Sequence, residues 1–91
     1  MKFRISRHSG FAAPADALDL LWQRLEGDRD GIRFAQFGSE IRATWKESPS
    51  TPKEREVREE IGRRAVLSVV FEVCDSSPEL KSDWYAVSPV R

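Results

Sequence analysis

The chain has 91 residues, 40% hydrophobic and 33% charged, which is enough for one hydrophobic core and too few for two ordinary domains. Fifteen basic residues balance fifteen acidic ones, so overall charge favours neither a nucleic-acid nor a membrane partner, and only a local patch could. Cys74 is the single cysteine, which excludes an intramolecular disulfide and a thiolate metal cluster. Charges interleave the first five residues, and no apolar run approaches the ~20 residues of a membrane span. We therefore expect one domain over residues 1–91, without a signal peptide, in a reducing cytoplasm.

The first third of the chain predicts a strand and a helix. Apolar and polar residues alternate over residues 2–7, which is typical of a half-buried strand. A helix is predicted between Pro14 and Gly27, which suit its first turn and its C-terminal stop. Its apolar face has the spacing i, i+3, i+4 and i+7 and consists of Leu18, Leu21, Trp22 and Leu25. Residues 28–31 then indicate a turn.

Residues 32–37 and 40–46 predict a β-hairpin around Gly38-Ser39, a pair that suits a type II′ turn. A two-residue loop pairs Phe37 with Glu40, and paired residues share one face of a sheet. This register places the apolar residues together on one face: Ile32, Phe34, Ile41, Ala43 and Trp45. Because the apolar residues separate so cleanly, the sequence supports this register.

The last part of the chain predicts a long helix and a final strand. Thr51 and Glu54 form a capping box with Pro52 at the first helical position, and the helix should end near Asp75. Its buried stripe is predicted to contain Val57, Ile61, Ala65, Val69 and Val73. Gly62 and the β-branched run that follows leave an alternative open, in which residues 65–74 form a buried strand. Residues 84–87 predict a strand that Pro89 confines to a sheet edge or a strand end.

The predicted order is strand, helix, strand, strand, helix, strand, which defines an α+β, ferredoxin-like βαββαβ fold. Right-handed crossovers place both helices on one face of a four-stranded antiparallel sheet. The predicted core consists of Phe3, Ile5, Leu18, Leu21, Trp22, Leu25, Ile32, Phe34, Ile41, Trp45, Ile61, Ala65 and Val69. Many unrelated functions share this fold class, so the fold indicates no particular activity.

The open face of the predicted sheet is basic. The strand phases place on it Lys2, Arg4, Arg33, Phe37, Arg42 and Lys46, opposed by Glu40. Either Trp84 or Tyr85 should join them. Basic groups around exposed aromatic rings can bind phosphates and stack bases, so this face predicts a nucleic-acid site. The alternative is an ordinary solvated sheet surface.

The second predicted helix has more apolar surface after Arg64 than one sheet can cover. The surplus residues are Val66, Leu67, Val70 and Phe71. A protein partner or a homodimer could cover them, since soluble monomers seldom expose such patches. The alternative is cover from within the chain, by the first helix or by Leu80 and the loop before Trp84.

A third candidate is the loop after the first strand, where Arg7, His8 and Ser9 could bind an anion ahead of the first helix. The alternative is a solvated loop. No metal-ligand cluster and no glycine-rich phosphate loop occur in the sequence, so we expect no catalytic residues, metal or organic cofactor. The sequence therefore favours a non-enzymatic module that works through protein contact or self-association. A nucleic-acid-binding module ranks second, and a small phosphate-handling enzyme third.

Overall fold

The computed structural model describes residues 1–8, 10, 12–25, 27–46 and 51–90, and within them the chain folds as an antiparallel sheet with two helices. In chain order the elements are β1 (Lys2–Arg7), α1 (Ala17–Leu25), β2 (Asp28–Arg29), β3 (Ile32–Phe37), β4 (Glu40–Trp45), α2 (Pro52–Asp75), a 3₁₀ turn (Ser82–Trp84) and β5 (Tyr85–Pro89). The strands have the order β2-β3-β4-β1-β5 in the sheet. The α+β class is thus confirmed.

The strand count differs from the prediction, because the sheet has five strands rather than four. The additional strand, β2, pairs with the start of β3 through Asp28 opposite Arg33. Asp30 and Gly31 link the two strands with φ angles of 50° and 79°, the left-handed values that a type I′ turn needs. A strand of two residues carries no readable alternation, so the sequence predicted only a turn at this position.

The predicted β3–β4 hairpin register is confirmed. Phe37 pairs with Glu40, Phe34 with Ala43 and Ile32 with Trp45. Gly38 has a φ of 61° and Ser39 is not in the left-handed region, which is the combination expected of a type II′ turn. β1 pairs with the other side of β4, so β4 is the central strand of the sheet, between β3 and β1.

One hydrophobic core lies between a single face of the sheet and both helices. The largest fully buried side chains are Phe3, Ile5, Leu21, Leu25, Ile32, Ile41, Val66, Val70 and Val73. Four predicted core residues, Leu18, Trp22, Trp45 and Ala65, are only partly buried at its margin. Ile61 is 46% exposed, so its assignment to the core is wrong.

Helix α2 extends through Asp75, so the strand alternative for residues 65–74 is wrong. The hydroxyl oxygen of Thr51 accepts a hydrogen bond from the amide of Glu54 at 3.1 Å, which confirms the N-cap. The predicted buried stripe is confirmed at Val69 and Val73 and wrong at Val57 and Ile61, which are exposed. The buried face consists of Gly62, Val66, Val69, Val70, Val73 and Cys74. Gly62 causes the difference: with no side chain, it lets the helix backbone approach the sheet closely.

β5 forms one edge of the sheet beside β1. The His8 amide donates to the Trp84 carbonyl at 2.7 Å, and the Val90 amide donates to the Lys2 carbonyl at 3.0 Å. Because bonded and non-bonded pairs alternate in an antiparallel ladder, Pro89 occupies a non-bonded position and its nitrogen faces the outer edge. This edge therefore lacks a donor where another strand would need one.

None of the described helices combines the length and the apolar character that crossing a bilayer requires.

Candidate functional site

The open face of the sheet brings the predicted basic residues together. Lys2 and Arg33 flank Thr44 in one row across the strands, and Arg4 lies opposite Arg42 in the next row. Phe37 lies in a third row, opposite Glu40. Lys46 follows the end of β4 beside this surface. We refer to Lys2, Arg4, Arg33, Phe37, Arg42 and Lys46 as the basic sheet face.

Carboxylates already hold several of these cations. Glu40 accepts from Arg4 Nε at 2.7 Å and, through its other oxygen, from Arg42 Nε at 2.8 Å and Nη2 at 2.7 Å. Asp28 Oδ1 lies 3.5 Å from Arg33 Nε, although both of these side chains are largely exposed. These contacts reduce the positive charge that the face offers to a phosphate. Sequence reasoning identified the role of Glu40 as an opposing charge and did not identify Asp28, since β2 was unrecognised.

Phe37 is the aromatic residue that this face presents to solvent, with 64% of its surface exposed. The Arg42 guanidinium carbon lies 5.4 Å from its ring centroid, a cation–π arrangement. The second aromatic residue expected on this face, either Trp84 or Tyr85, does not join it, because Tyr85 is buried and Trp84 packs against the core. The face thus offers one aromatic platform in the part of the chain that the structure describes.

A shallow depression of about 380 Å³ lies at the β2 end of the basic sheet face. Its lining consists of Asp28, Asp30, Gly31, Arg33, Thr44 and Lys46. Two carboxylates and two cations face the same space, so the depression has no single sign of charge. It could accommodate a small polar ligand but does not select an anion.

Helix α2 carries the second surface. Among the described residues four large apolar side chains are exposed, and three of them belong to this helix: Val57 (57%), Ile61 (46%) and Phe71 (47%). At 3.6 residues per turn they fall within about 80° of the circumference. Leu67 is half-buried next to Phe71. We call Val57, Ile61, Leu67 and Phe71 the α2 outer face.

Two residues of the predicted protein interface require a correction. Val66 and Val70 have no exposed surface, since both point into the chain's own core. Phe71 is 47% exposed, and Leu67 is partly buried against the core; both belong to the α2 outer face. Val57 and Ile61 were missed as surface residues, because the predicted stripe placed them inside. The sequence identifies Val57 and Ile61 as surface residues only if Gly62 is assumed to lie at the centre of the buried face of α2.

Ion pairs lie along α2 next to its outer face. Glu60 Oε1 accepts from Arg63 and from Arg64, both at 2.9 Å. The hydrogen bond from Arg63, followed by that from Arg64, lowers the pKa of Glu60 below its ordinary value. Near the start of the helix an open depression of about 530 Å³ is lined by Thr51, Lys53, Glu54, Val57, Arg58 and Ile61.

The loop after β1, which was the third candidate site, offers an anion few hydrogen-bond donors among its described residues. The Gly10 amide donates to His8 Nδ1 at 3.0 Å, so an amide that could face an anion points to the imidazole instead. Arg7 is exposed at the end of β1, and Ser9 lies outside the described residues.

Cys74 is buried, and burial, with a smaller effect of the Asp75 carboxylate, raises the pKa of its thiol to about 11. A thiol in such surroundings is a poor nucleophile at neutral pH. In the described part of the chain, no group of three or more His, Cys, Asp and Glu residues is arranged to hold a metal ion.

Comparisons with family models, with curated proteins and with solved structures found no match to this chain.

Proposed function

We propose that this protein is a non-enzymatic module that contacts another protein chain through the α2 outer face. The observation that carries the proposal is the grouping of Val57, Ile61 and Phe71, each about half exposed, on one side of one helix. Exposed apolar residues scattered singly are ordinary, whereas a group on one face is typical of an interface. Burial of the remaining surface of such side chains would contribute about 1 kcal/mol each.

The first part of α2 adds support. From residue 52 to residue 61 no side chain of the helix is buried, and the first buried position is Gly62. A free helix of about ten residues is marginal in water, so this segment gains from any chain that covers its apolar side. An interaction surface that stabilises its own helix on binding would account for apolar residues at these exposed positions.

The same proposal includes the finer fold and the compartment. The four longer strands and two helices follow the βαββαβ order, which supports a ferredoxin-like arrangement extended by the short strand β2. The lone buried thiol supports a reducing, cytoplasmic setting.

Site-specific photo-crosslinking in the protein's native cells tests the proposal. A benzophenone amino acid replaces Ile61 or Phe71, and matched control variants carry it at Arg33 or Thr44 on the sheet. We expect the same crosslinked polypeptide, identified by mass spectrometry, from both α2 positions and from neither sheet position. Absence of an adduct at both α2 positions, or an adduct from the sheet positions alone, would refute the proposed function.

A second candidate function is binding of single-stranded nucleic acid by the basic sheet face, favoured by the exposed Phe37 ring next to Arg42. A single-stranded RNA of about ten nucleotides is a suitable probe, because it matches the usual length of such sites. Binding should weaken steeply with salt, since released counterions drive it. Phe37→Ala, and Arg4→Glu with Arg42→Glu, should abolish binding in a folded protein. If the RNA shifts no strand amide at low salt, this candidate is wrong.

A further inference from the structure

We infer that the chain bound by the α2 outer face is a second copy of this protein, aligned antiparallel about a two-fold axis at Arg64. This inference rests on the proposed function and specifies its partner. It is carried by the spacing of the exposed positions, by the charges at the two ends of the helix and by the arrangement around Arg64.

The exposed positions of α2 have the spacing of a helix–helix seam. Steps of four and three residues alternate along it, and all six positions are exposed: Val57, Ile61, Arg64, Ser68, Phe71 and Asp75. Alternate steps of three and four keep side chains along one line between two packed helices. The line lies opposite the buried face that contains Gly62 and Val66. A second helix can therefore pack on this seam without displacing the core.

The α2 outer face maps onto itself when it is reversed about Arg64. Val57 and Phe71 are each seven residues from Arg64, and Ile61 and Leu67 are each three residues from it. A two-fold axis at Arg64 therefore places Val57 against the partner's Phe71 and Ile61 against the partner's Leu67. An isologous contact of this kind uses the same patch on both copies.

Charges at the ends of α2 favour the antiparallel direction. Lys53 lies eleven residues before Arg64 and Asp75 lies eleven residues after it, and both are exposed. The two-fold pairing brings opposite charges together at both ends, whereas a parallel pairing brings each residue against its own copy. The antiparallel direction also places the positive N-terminal end of each helix dipole beside the negative C-terminal end of the other.

The centre of the seam is polar and fixes the register. Two Arg64 side chains meet at the axis, and each keeps its Nε on Glu60 of its own helix at 2.9 Å, which offsets part of the repulsion. A polar residue within an apolar seam commonly selects one register at the expense of affinity. The apolar contacts are few, so we expect a dissociation constant of about 10 µM to 1 mM, the range of small interfaces.

Sedimentation velocity of the full chain from about 10 µM to 1 mM tests for the second copy. The average mass should rise towards that of a dimer, and Val57→Ser with Phe71→Ser should abolish the rise while circular dichroism stays unchanged. Lys53→Glu or Asp75→Lys alone should weaken the dimer several-fold, and the two changes in one chain should restore it. A strict monomer at the highest concentration overturns this inference. The proposed function would then still be decided by whether the α2 photo-crosslinks join a different chain.

Cysteine crosslinking in a Cys74→Ala background tests the alignment. Arg64→Cys should form a disulfide between the two copies, because the two-fold axis brings both Cα atoms of position 64 together. A disulfide requires Cα atoms within about 7 Å of each other. Val57→Cys and Phe71→Cys should each fail alone and should crosslink when mixed, because each lies about 20 Å from its own copy in this alignment. A disulfide between two copies of Val57→Cys would overturn the antiparallel alignment. In sedimentation velocity, a rise in average mass that persists in the Val57→Ser, Phe71→Ser variant would also overturn it.

Discussion

Replacement of Gly62 by alanine should destabilise the protein, although alanine is the better helix former. A Cβ atom at position 62 would lie 2.5 Å from Cζ and 2.7 Å from Cε2 of Phe3, and 2.8 Å from Cε3 of Trp45. Carbon atoms in contact prefer roughly 3.5–4.0 Å, so α2 or the two rings must move by about 1 Å. The Phe3 ring has no exposed surface and therefore no free space to move into.

The magnitude follows from two opposing effects. Alanine improves helix propensity over glycine by about 0.8–1 kcal/mol. Overpacking of a filled core costs about 1–3 kcal/mol, and the contacts at Gly62 involve two aromatic rings at once. Because two rings must move at once, the overpacking cost should lie in the upper part of that range, about 2–3 kcal/mol, so we expect a net loss of about 1–2 kcal/mol in the free energy of unfolding. In a domain of this size the midpoint temperature should fall by roughly 4–16 °C.

Urea and thermal unfolding followed by circular dichroism measure this loss. Ser68→Ala against Ser68→Gly is the matched control, because position 68 is exposed on the same helix. Measured at protein concentrations below the dissociation constant of the proposed dimer, this pair isolates the propensity effect. There alanine should be the more stable by about 1 kcal/mol, the opposite sign from position 62. Phe3→Leu combined with Gly62→Ala should show a coupling of about 0.5–3 kcal/mol. Equal or greater stability of Gly62→Ala would refute the close approach of α2 to β1.

Three further predictions concern the core and α2. Tyr85→Phe removes a 2.7 Å hydrogen bond to the Ala17 carbonyl, and thermal unfolding should show a loss of about 1–3 kcal/mol; no loss would mean that this bond contributes nothing. Cys74 should react slowly with thiol reagents at pH 8. Its pKa is about 11 when folded and 9.0 ordinarily, so its contribution to stability is complete below pH 9 and lost as the pH rises through 11. Between pH 9 and 11 the Cys74→Ala variant should therefore lose less stability than the unmodified chain. If both lose the same stability over this pH range, the burial of the thiol is contradicted. At protein concentrations below the dissociation constant of the proposed dimer, Val57→Ser and Phe71→Ser should each change stability by less than about 0.5 kcal/mol, and a larger loss would mean that the side chain packs within its own chain.

The hairpin was predictable because several constraints in the sequence agree. Gly38 fixes the turn type, the loop length fixes the register, and the alternation of apolar residues fixes the face. A shift of one residue would turn Ile32 and Trp45 out of the core, so few alternatives remain. The basic sheet face follows from the same phases, and the structure brings its residues together as predicted. Its ion pairs with Glu40 depend on side-chain geometry, which alternation does not describe.

The phase of α2 was not predictable from apolar periodicity alone. Apolar residues occupy more than one face of this helix, so Val57 and Ile61 fit a buried stripe as well as Val66 and Val70 do. Tertiary packing decides between the two phases, because only the face with Gly62 allows the helix backbone to reach Phe3. A glycine in a helix that otherwise has strong capping is therefore informative about which face is buried.

The phase of α2 also determines how the two proposed surfaces relate. Its buried face packs on the sheet, so the α2 outer face points away from the sheet, and the basic sheet face lies on the opposite side of the core. A second copy on the α2 outer face would leave Phe37 and Arg42 of both copies open to solvent. The two binding proposals are thus physically independent, and neither can account for the other's evidence. Binding of a phosphate at the basic sheet face would compete with the ion pairs of Glu40 with Arg4 and Arg42. The apolar side chains of the α2 outer face have no such ion pairs to break, which is why the protein contact ranks first.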